Sequence, residues 1–392
     1  MSGPADRFQA VRTAGFTESV IREMTRLALR HGAVNLAQGF PDFPAPEPVK
    51  RAAREAIASD INQYAVTWGA APLREAIAEA CRRFYGMEVD PDTEITVVCG
   101  STEGMIASLL ATVNPGDEVI LFEPFYENYG PDADLCGAVR RYVPLRPPDW
   151  TFDLAELRAA FSPKTKAIIV NNPHNPTGKV FSADELMQIS GLCIEFDALC
   201  ITDEIYEHIV YDGAAHIPVA ALPWVRDRTI LVNSVSKTFS VTGWRVGWVI
   251  APPAVTAAIR KVHDFLTVGA PAPLQHAAAA ALRLPDTYFI ELKAAYAKRR
   301  EMLTQALREA GFAFRMPEGA YYVMADIRPA GFDDGDELCR RMVEEIRVAA
   351  VPGSSFFRQR SDGAAWIRFC FCKKYETLEK AGRLLCEGLR RL

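Results

Sequence analysis

The sequence predicts an α/β fold with a large, mostly parallel sheet flanked by helices, together with a second, smaller α+β domain. Short apolar runs alternate with segments of helical periodicity through the middle of the chain, a pattern typical of parallel sheets. The C-terminal third follows a different, α+β order. With 392 residues, of which 49% are hydrophobic and 24% charged, the chain has enough apolar material for a large core.

Six apolar runs are predicted to be strands of the main sheet. Each is short, rich in β-branched residues and bounded by Gly, Pro, Asn or Asp, as buried parallel strands tend to be. They cover 95–99, 118–122, 166–170, 198–203, 229–233 and 245–250. Helical periodicity covers 102–113, 153–161 and 182–197. Ser182 and Glu185 have the spacing of a capping box, which predicts the start of the last of these helices.

The two ends of the chain have their own patterns. Near the N-terminus, apolar residues on one face predict a helix over 18–31, which Gly32 ends. The C-terminal third begins with a long helical pattern that Gly311 ends, followed by a strand, a helix, a strand and a final helix. These elements cover 286–310, 321–326, 334–346, 364–370 and the residues from Tyr375 onward.

Charge and cysteine usage argue against several classes of protein. The chain has 44 Lys and Arg against 49 Asp and Glu, a net charge of −5, which is not the basic footprint of a nucleic-acid-binding protein. No apolar run reaches the roughly 18 residues of a membrane span, and the N-terminus lacks the apolar stretch of a secretory signal. Nine scattered cysteines indicate neither a disulfide framework nor a zinc site. We therefore expect a cytoplasmic enzyme without a metal.

The most informative stretch runs from Asn233 to Gly247, where Lys237 follows a predicted buried strand among hydroxyls and turn-forming glycines. Lysine is almost never fully buried unless it is paired or covalently engaged. Desolvation or a nearby cation lowers the pKa of its amine and makes it a nucleophile for carbonyl groups. Arg245 could be that cation and could also bind a phosphate with two hydrogen bonds. The alternative is a surface turn with two solvated cations.

Two more polar segments follow predicted strands. Asp203 ends a strand at the edge where ligands bind in open α/β sheets, so it could pair with a ring nitrogen, and Tyr206 could reach a neighbouring phenolic oxygen. Asn175 lies in a loop stiffened by two X-Pro bonds that could present its amide to a ligand. The alternatives are a helix cap for Asp203 and a purely structural proline turn. His174, in the same loop, is expected to be structural rather than a base.

The remaining candidate residues could bind anions. Gly100, Ser101 and Thr102 lie between a predicted strand and helix, where backbone N–H groups bind phosphate. The segment is not a Walker loop, and no G-x-G-x-x-G follows a strand, which argues against a dinucleotide-binding dehydrogenase. Arg368 lies among apolar residues of a predicted strand, where it is destabilising unless a carboxylate meets it. That carboxylate could be an internal Asp or Glu, or it could belong to a substrate.

Taken together, these motifs resemble the fold-type I pyridoxal 5′-phosphate (PLP) aminotransferases of class I/II. The resemblance runs from about Val34 to the C-terminus. It is carried by NLAQGFPDF (35–43), NQYAVTWG (62–69), NNPHNPTGKVF (171–181), ITDEIYEHIVYDG (201–213), SVSKTFSVTGWRVGW (234–248) and WIRFCFCKK (366–374). Within the superfamily the chain is most similar to the kynurenine/glutamine aminotransferases and the bacterial methionine aminotransferases. The N-succinyldiaminopimelate aminotransferases are near neighbours.

The resemblance implies the architecture and the assembly. A seven-stranded, mostly parallel sheet would form the core of a large PLP-binding domain over 46–285. Residues 1–45 and 286–392 would form an N-terminal arm or helix and the small C-terminal domain. The enzyme would be a homodimer with its active sites at the subunit interface, where Tyr64 of one subunit reaches the phosphate bound by the other.

The resemblance also implies roles for the matched residues. Lys237 would form the aldimine with PLP and move a proton between the substrate and the cofactor. Asp203 would hold the pyridine nitrogen proton, while Tyr206 and Asn175 would hydrogen-bond the ring oxygen. Tyr126 would stack on the ring, and Arg368 would bind the substrate α-carboxylate near Asn175 and the backbone amide of Gly39. The phosphate would be held by Ser101, Thr102, Ser234, Arg245 and Tyr64.

The implied activity is transfer of the amino group of neutral L-amino acids (apolar, sulfur-containing or aromatic) to a 2-oxo acid by a ping-pong cycle. Ile21 and residues 266–270 stand where kynurenine aminotransferases have aromatic or His residues, which favours a less aromatic pocket. No second arginine stands out for a side-chain carboxylate. The alternatives are cysteine-conjugate β-lyase or N-succinyldiaminopimelate aminotransferase activity on the same scaffold. A non-catalytic PLP-binding regulator is a remote one, since roughly 34 residues before the NLAQGF motif are too few for a DNA-binding domain.

Overall fold

The computed structural model describes residues 8, 10–13, 16 and 18–392. Within these residues the α-helices are Val20–His31 (α1), Glu47–Ala58 (α2), Ala71–Tyr85 (α3), Ser101–Thr112 (α4), Tyr129–Leu135 (α5), Leu154–Ala160 (α6), Ala183–Glu195 (α7), Pro253–Thr267 (α8), Ala272–Leu282 (α9), Asp286–Glu309 (α10), Gly335–Ile346 (α11) and Tyr375–Gly388 (α12). The strands are Val34–Asn35 (β1), Ile95–Val98 (β2), Glu118–Glu123 (β3), Val139–Pro144 (β4), Thr165–Asn171 (β5), Leu199–Asp203 (β6), Thr229–Ser234 (β7), Gly247–Ile250 (β8), Tyr322–Asp326 (β9), Val348–Ala349 (β10), Val351–Pro352 (β11) and Trp366–Cys370 (β12).

The main sheet has seven strands in the order β2-β8-β7-β6-β5-β3-β4. Strands β4, β3, β5, β6 and β7 are joined by parallel pairings, and only β8 is antiparallel to both of its neighbours. This confirms the predicted mostly parallel sheet. Every residue of β2, β7 and β8 is buried, which explains why these strands appear in the sequence as continuous apolar runs.

The order of the strands brings three connections to one edge of the sheet. In the parallel register Asn171, the last residue of β5, lies beside Asp203, the last residue of β6. Asp203 in turn pairs with Val232 of β7, so the connection that carries Lys237 begins at the same edge. Val98 at the end of β2 pairs with Gly247, the first residue of β8. The start of α4, which follows β2, therefore lies beside the point where the connection with Lys237 enters β8. Ligands bind at such edges in open α/β sheets.

Two smaller sheets lie outside the main one. Strands β11, β12 and β9 form an antiparallel sheet with β12, which contains Arg368, in its centre. The N-terminal strand β1 pairs in parallel with β10, so the N-terminal segment is hydrogen-bonded to the C-terminal third of the chain. The domain boundaries at residues 46 and 286 stay a prediction.

Helix boundaries follow local signals. The predicted capping box is confirmed: Ser182 Oγ accepts from the Glu185 backbone N–H (3.2 Å), and Glu185 Oε2 accepts from that of Ser182 (2.9 Å). Helix α1 ends at His31, and Gly32 adopts the left-handed conformation at φ 61°, as the sequence predicts. None of the helices in the described residues is long and apolar enough to cross a membrane.

Candidate active site

A cavity of about 170 Å³ lies between the carboxyl ends of β5 and β6 and the strands β9 and β12. Ten of the twelve site residues expected from the sequence line it: Gly39, Ser101, Thr102, Tyr126, Asn175, Asp203, Tyr206, Lys237, Arg245 and Arg368. Ser234 and Tyr64 do not line it. Residues separated by more than 300 positions in the sequence therefore meet in one place.

Lys237 lies in the connection between β7 and β8. Its Nζ donates to the backbone carbonyl of Gly39 at 3.4 Å and lies 5.9 Å from the ring centre of Tyr206. Burial lowers the pKa of Lys237 to about 8, and the positive charges of Arg245 and Arg368 act in the same direction. A fraction of this lysine is therefore a neutral, nucleophilic amine near neutral pH. The alternative of a turn with two solvated cations is therefore wrong for Lys237, whereas Arg245 is exposed.

Asp203 ends β6 and is only 6% exposed. The hydroxyl of Tyr129 donates to its Oδ2 at 2.8 Å, and the Ile205 N–H donates to Oδ1 at 3.4 Å. Within the described residues, Asp203 forms no ion pair with a Lys, Arg or His. Burial raises the pKa of its carboxyl to about 6. A buried carboxylate without a cation fits a ligand that brings a protonated nitrogen to it.

The loop after β5 is held by the side chain of Asn171. Its Nδ2 donates to the Asp203 carbonyl at 2.9 Å, and its Oδ1 accepts from the Asn175 N–H at 2.6 Å. These two bonds orient the loop, so that the Asn175 side chain lines the cavity. His174 is buried and its Nδ1 lies 2.7 Å from the Thr177 hydroxyl, while burial lowers its pKa to about 3. His174 is thus neutral and structural, as expected.

Arg368 is 1% exposed, in the central strand of the smaller sheet. Its Nη1 donates to Asn175 Oδ1 and its Nη2 to the carbonyl of Ala37, both at 2.8 Å. Its Nε has no hydrogen-bond partner, and the described part of the chain contains no carboxylate at ion-pair distance from it. An internal Asp or Glu partner for this arginine is therefore absent from the described residues. A buried guanidinium with neutral acceptors and a free donor fits an anionic ligand.

Ser101, Thr102 and Arg245 line the end of the cavity where α4 begins. Gly100 precedes α4 with φ 81° and supplies no side-chain cap, so the first amides of the helix have no capping oxygen. A Cβ on Gly100 would lie 2.3 Å from Nη2 of Arg245. Only glycine therefore lets this guanidinium approach the start of the helix. The arrangement fits a phosphate, as the sequence predicts.

Ser234 lies behind this end of the cavity and does not line it. It is 2% exposed, and its hydroxyl accepts from the Ser236 backbone N–H at 3.2 Å. Ser236, two residues later, lines the cavity instead. The phosphate role of Ser234 stays a prediction.

Helix α4 is also tied to a distant segment. Glu103, in its first turn, accepts from His263 Nδ1 at 2.7 Å, and His263 Nε2 lies 2.9 Å from the carbonyl of Thr67. His263 is fully buried. Burial opposes its positive charge, but the hydrogen bond to Glu103, the charge of Glu103 and the hydrogen bond to the Thr67 carbonyl together outweigh that effect and raise the pKa of His263. The result is a buried ion pair that holds Thr67 close to the first turn of α4, at the end of the cavity where Arg245 lies.

Aromatic side chains form the rest of the wall. The hydroxyl of Tyr206 lies 3.2 Å from that of Tyr322, and the Tyr322 ring packs 4.3 Å from the Arg368 guanidinium carbon. Tyr126 lines the cavity beside Tyr129. The sequence did not single out Tyr129 or Tyr322, although Tyr129 lies three residues after Tyr126 in the segment EPFYENY.

Tyr64 is 86% exposed and lies outside the cavity of its own chain. Its role from a neighbouring subunit stays a prediction.

The residues present fit the cofactor expected from the sequence. A phosphate would find the uncapped start of α4 with Arg245, a ring nitrogen would find Asp203, and an aldehyde would find the amine of Lys237. Arg368 would remain for a second, carboxylate-bearing ligand. In the described residues, no group of three or more His, Cys, Asp or Glu side chains could hold a metal ion.

The chain was compared with known families and structures. Residues 31–384 match the family model for aminotransferase class I and II. The solved structure of N-succinyldiaminopimelate aminotransferase from Mycobacterium tuberculosis is 42% identical, with a TM-score of 0.94 over 97% of this chain and 99% of that one. The methionine aminotransferase of Escherichia coli is 37% identical, covering 94% of this chain and 95% of the relative. Kynurenine–oxoglutarate transaminase 3 of Rattus norvegicus is also 37% identical, and the match covers 95% of this chain and 88% of the relative.

These matches confirm the predicted fold and enzyme class. The family model spans most of the sequence, and the relatives align with this chain along most of their own length. The seven-stranded sheet agrees with the fold-type I architecture of the structural neighbours. The chain therefore belongs to the class I and II aminotransferases.

Proposed function

We propose that the enzyme uses PLP to move the α-amino group of neutral L-amino acids to a 2-oxo acid by a ping-pong cycle. The observation that carries this proposal is the presence of Lys237, Asp203 and Arg368 in one cavity, each in the electrostatic state that the reaction requires. The lysine has a lowered pKa, the aspartate lacks a cation, and the arginine lacks an anion.

Each of these residues has a distinct task. Bound PLP supplies an electron sink for the negative charge that develops at the substrate α-carbon. Lys237 holds the cofactor and, once released, carries the proton to and from that carbon. Asp203 keeps the ring nitrogen protonated, and Tyr129 orients Asp203 through its hydroxyl. Arg368 binds the substrate carboxylate with its remaining donor capacity, while Asn175 fixes the plane of its guanidinium.

The substrate side chain would lie against Ile21, Tyr126 and Tyr322, which line the cavity. These residues support a neutral, apolar or aromatic side chain, as do the relatives named for methionine and kynurenine. A second candidate is N-succinyldiaminopimelate, supported by the 42% identical relative that carries this name. The two candidate kinds of substrate differ in the charge at the end of the side chain.

We further propose a homodimer. Around residues 64–68, Tyr64 is 86% exposed and Val66 51% exposed, and at the end of α8 Phe265 is 92% exposed. A second subunit would cover these side chains, and Tyr64 would complete the phosphate site of the partner. We also propose a cytoplasmic location, supported by nine free cysteines, none of which forms a disulfide.

A visible absorbance spectrum tests the proposed function. Purified protein loaded with PLP should show the band of the lysine-bound cofactor, and adding an amino donor alone should convert it to the shorter-wavelength amino form. The ranking of single amino acids by this conversion identifies the substrate class. A donor that instead releases pyruvate and ammonia would point to β-lyase activity. A protein that stays colourless with added PLP would contradict the proposal.

The variant Arg368→Gln tests the carboxylate site. Removing the buried charge should lower kcat/KM for amino acids by about 100-fold, because charged hydrogen bonds in buried sites contribute roughly 2–5 kcal/mol. PLP affinity, measured by dialysis, should change by less than about threefold. Unchanged kcat/KM would remove Arg368 from substrate binding.

A further inference from the structure

Arg22, in the first turns of α1, also lines the cavity, although the sequence did not single it out. Its side chain is exposed, and within the described residues it forms no ion pair and no side-chain hydrogen bond. One turn further along the same helix, Arg26 forms an ion pair with Glu18. Of the three arginines of this helix, Arg22, Arg26 and Arg30, only Arg22 lines the cavity, and within the described residues it has no anionic partner.

An acidic residue, Glu127, lines the cavity with Arg22. Its Oε2 accepts from the hydroxyl of Ser19 at 2.6 Å, and its Oε1 has no hydrogen-bond partner. Burial raises the pKa of Glu127, while Arg22 is close enough to oppose that effect. The two side chains nevertheless lie beyond ion-pair distance. Arg22 is therefore not neutralised by Glu127.

The cavity is thus lined by three arginines, Arg22, Arg245 and Arg368, in addition to Lys237. Under the proposed function, Lys237 and Arg245 are engaged by the cofactor and Arg368 by the α-carboxylate. Only Arg22 is left for a further anion. A substrate with a carboxylate at each end could therefore bind Arg368 with one carboxylate and Arg22 with the other.

We propose that Arg22 binds the side-chain carboxylate of a dicarboxylic substrate, most directly a dicarboxylic 2-oxo acid acting as the amino acceptor. This inference rests on the proposed function. In a ping-pong cycle the donor and the acceptor occupy the same site in turn, so the site must accept a neutral and an acidic side chain. Ile21 supplies an apolar contact, and the exposed head of Arg22 stays in solvent when the side chain is neutral.

The test uses the PLP-loaded enzyme and the variant Arg22→Gln. With L-methionine as donor, we expect KM for 2-oxoglutarate to rise about tenfold, because Arg22 is exposed and its ion pair lies at the lower end of charged interactions. KM for the neutral acceptor 2-oxo-4-methylvalerate should change by less than twofold. Arg26→Gln, which removes a charge from the same helix outside the cavity, should change neither value.

A binding measurement separates this inference from the proposed function. By calorimetry, wild-type holoenzyme should bind glutarate more tightly than pentanoate, and Arg22→Gln should abolish that difference. This holds even if the protein transaminates none of the amino acids tested, an outcome that would contradict only the proposed function. Equal changes for both acceptors, no change for 2-oxoglutarate, or no glutarate preference in the wild type would each overturn the role of Arg22.

Discussion

Lys237→Ala is expected to lower transamination by about 10⁴-fold. The variant loses both the amine that holds the cofactor and the group that moves the proton, and general acid–base catalysis alone contributes 10²–10⁴-fold. PLP should still bind through the start of α4 and Arg245, which do not depend on the lysine. Half-reaction rates followed by absorbance, with PLP content measured separately, check both expectations.

Lys237→Arg is the matched control. It keeps a positive charge and a long side chain but no nucleophilic amine, since the arginine pKa is too high for deprotonation. We expect it to be as inactive as the alanine variant. Recovery of substantial activity in Lys237→Arg would show that the charge of Lys237 matters rather than its amine. Near wild-type turnover in Lys237→Ala would contradict the assignment altogether.

Asp203→Asn should lower kcat by roughly 10²–10³-fold, as expected when a preorganised charge in a buried site is removed. The amide cannot hold the proton on the ring nitrogen, although it can still accept from the Tyr129 hydroxyl. The same substitution should stabilise the protein without cofactor. Burial raises the Asp203 pKa to about 6, from about 4 in an unfolded chain, so the ionised carboxyl destabilises the fold by about 3 kcal/mol.

The sign of this stability effect fixes its pH dependence. The unfavourable contribution is absent below about pH 4, grows as the pH rises, and is complete above about pH 6. At pH 8 the free energy of unfolding of cofactor-free Asp203→Asn should therefore be higher than that of cofactor-free wild type. The difference should vanish near pH 4. Asp132→Asn is the control for activity, because Asp132 is a second buried carboxylate lining the same cavity. An equal loss of kcat in both variants would contradict a specific role for Asp203.

The residues that line the cavity were easier to predict from the sequence than the helices and edge strand around it, for a physical reason. Lys237, Asp203 and Asn175 each follow a buried strand, and parallel strands bring their carboxyl ends together. Ser234 is expected to help hold the phosphate, which stays a prediction, whereas Ser236, which was not singled out, lines the cavity. Which of two hydroxyls two residues apart faces a cavity depends on how the turn leaves the strand, and the residue types do not encode that geometry.

Contacts between distant elements were not predictable from local patterns. Arg22 belongs to an exposed helix surface by its spacing, and only the packing of α1 places it at the cavity. Strand β4 was missed because its sequence, VRRYVP, is polar and largely exposed at the edge of the sheet. Helices α2 and α3, which precede the first predicted strand, were also missed.

In the proposed homodimer, the buried pair of His263 and Glu103 would link cofactor retention to quaternary structure. It joins the first turn of α4 to the carbonyl of Thr67, three residues from Tyr64. In the proposed homodimer, one end of this connection holds a subunit's own phosphate and the other end serves its neighbour. Because coupling free energies are reciprocal, a cofactor that stabilised the dimer through this connection would itself be bound more tightly in the dimer, and dilution that separates the subunits would release it.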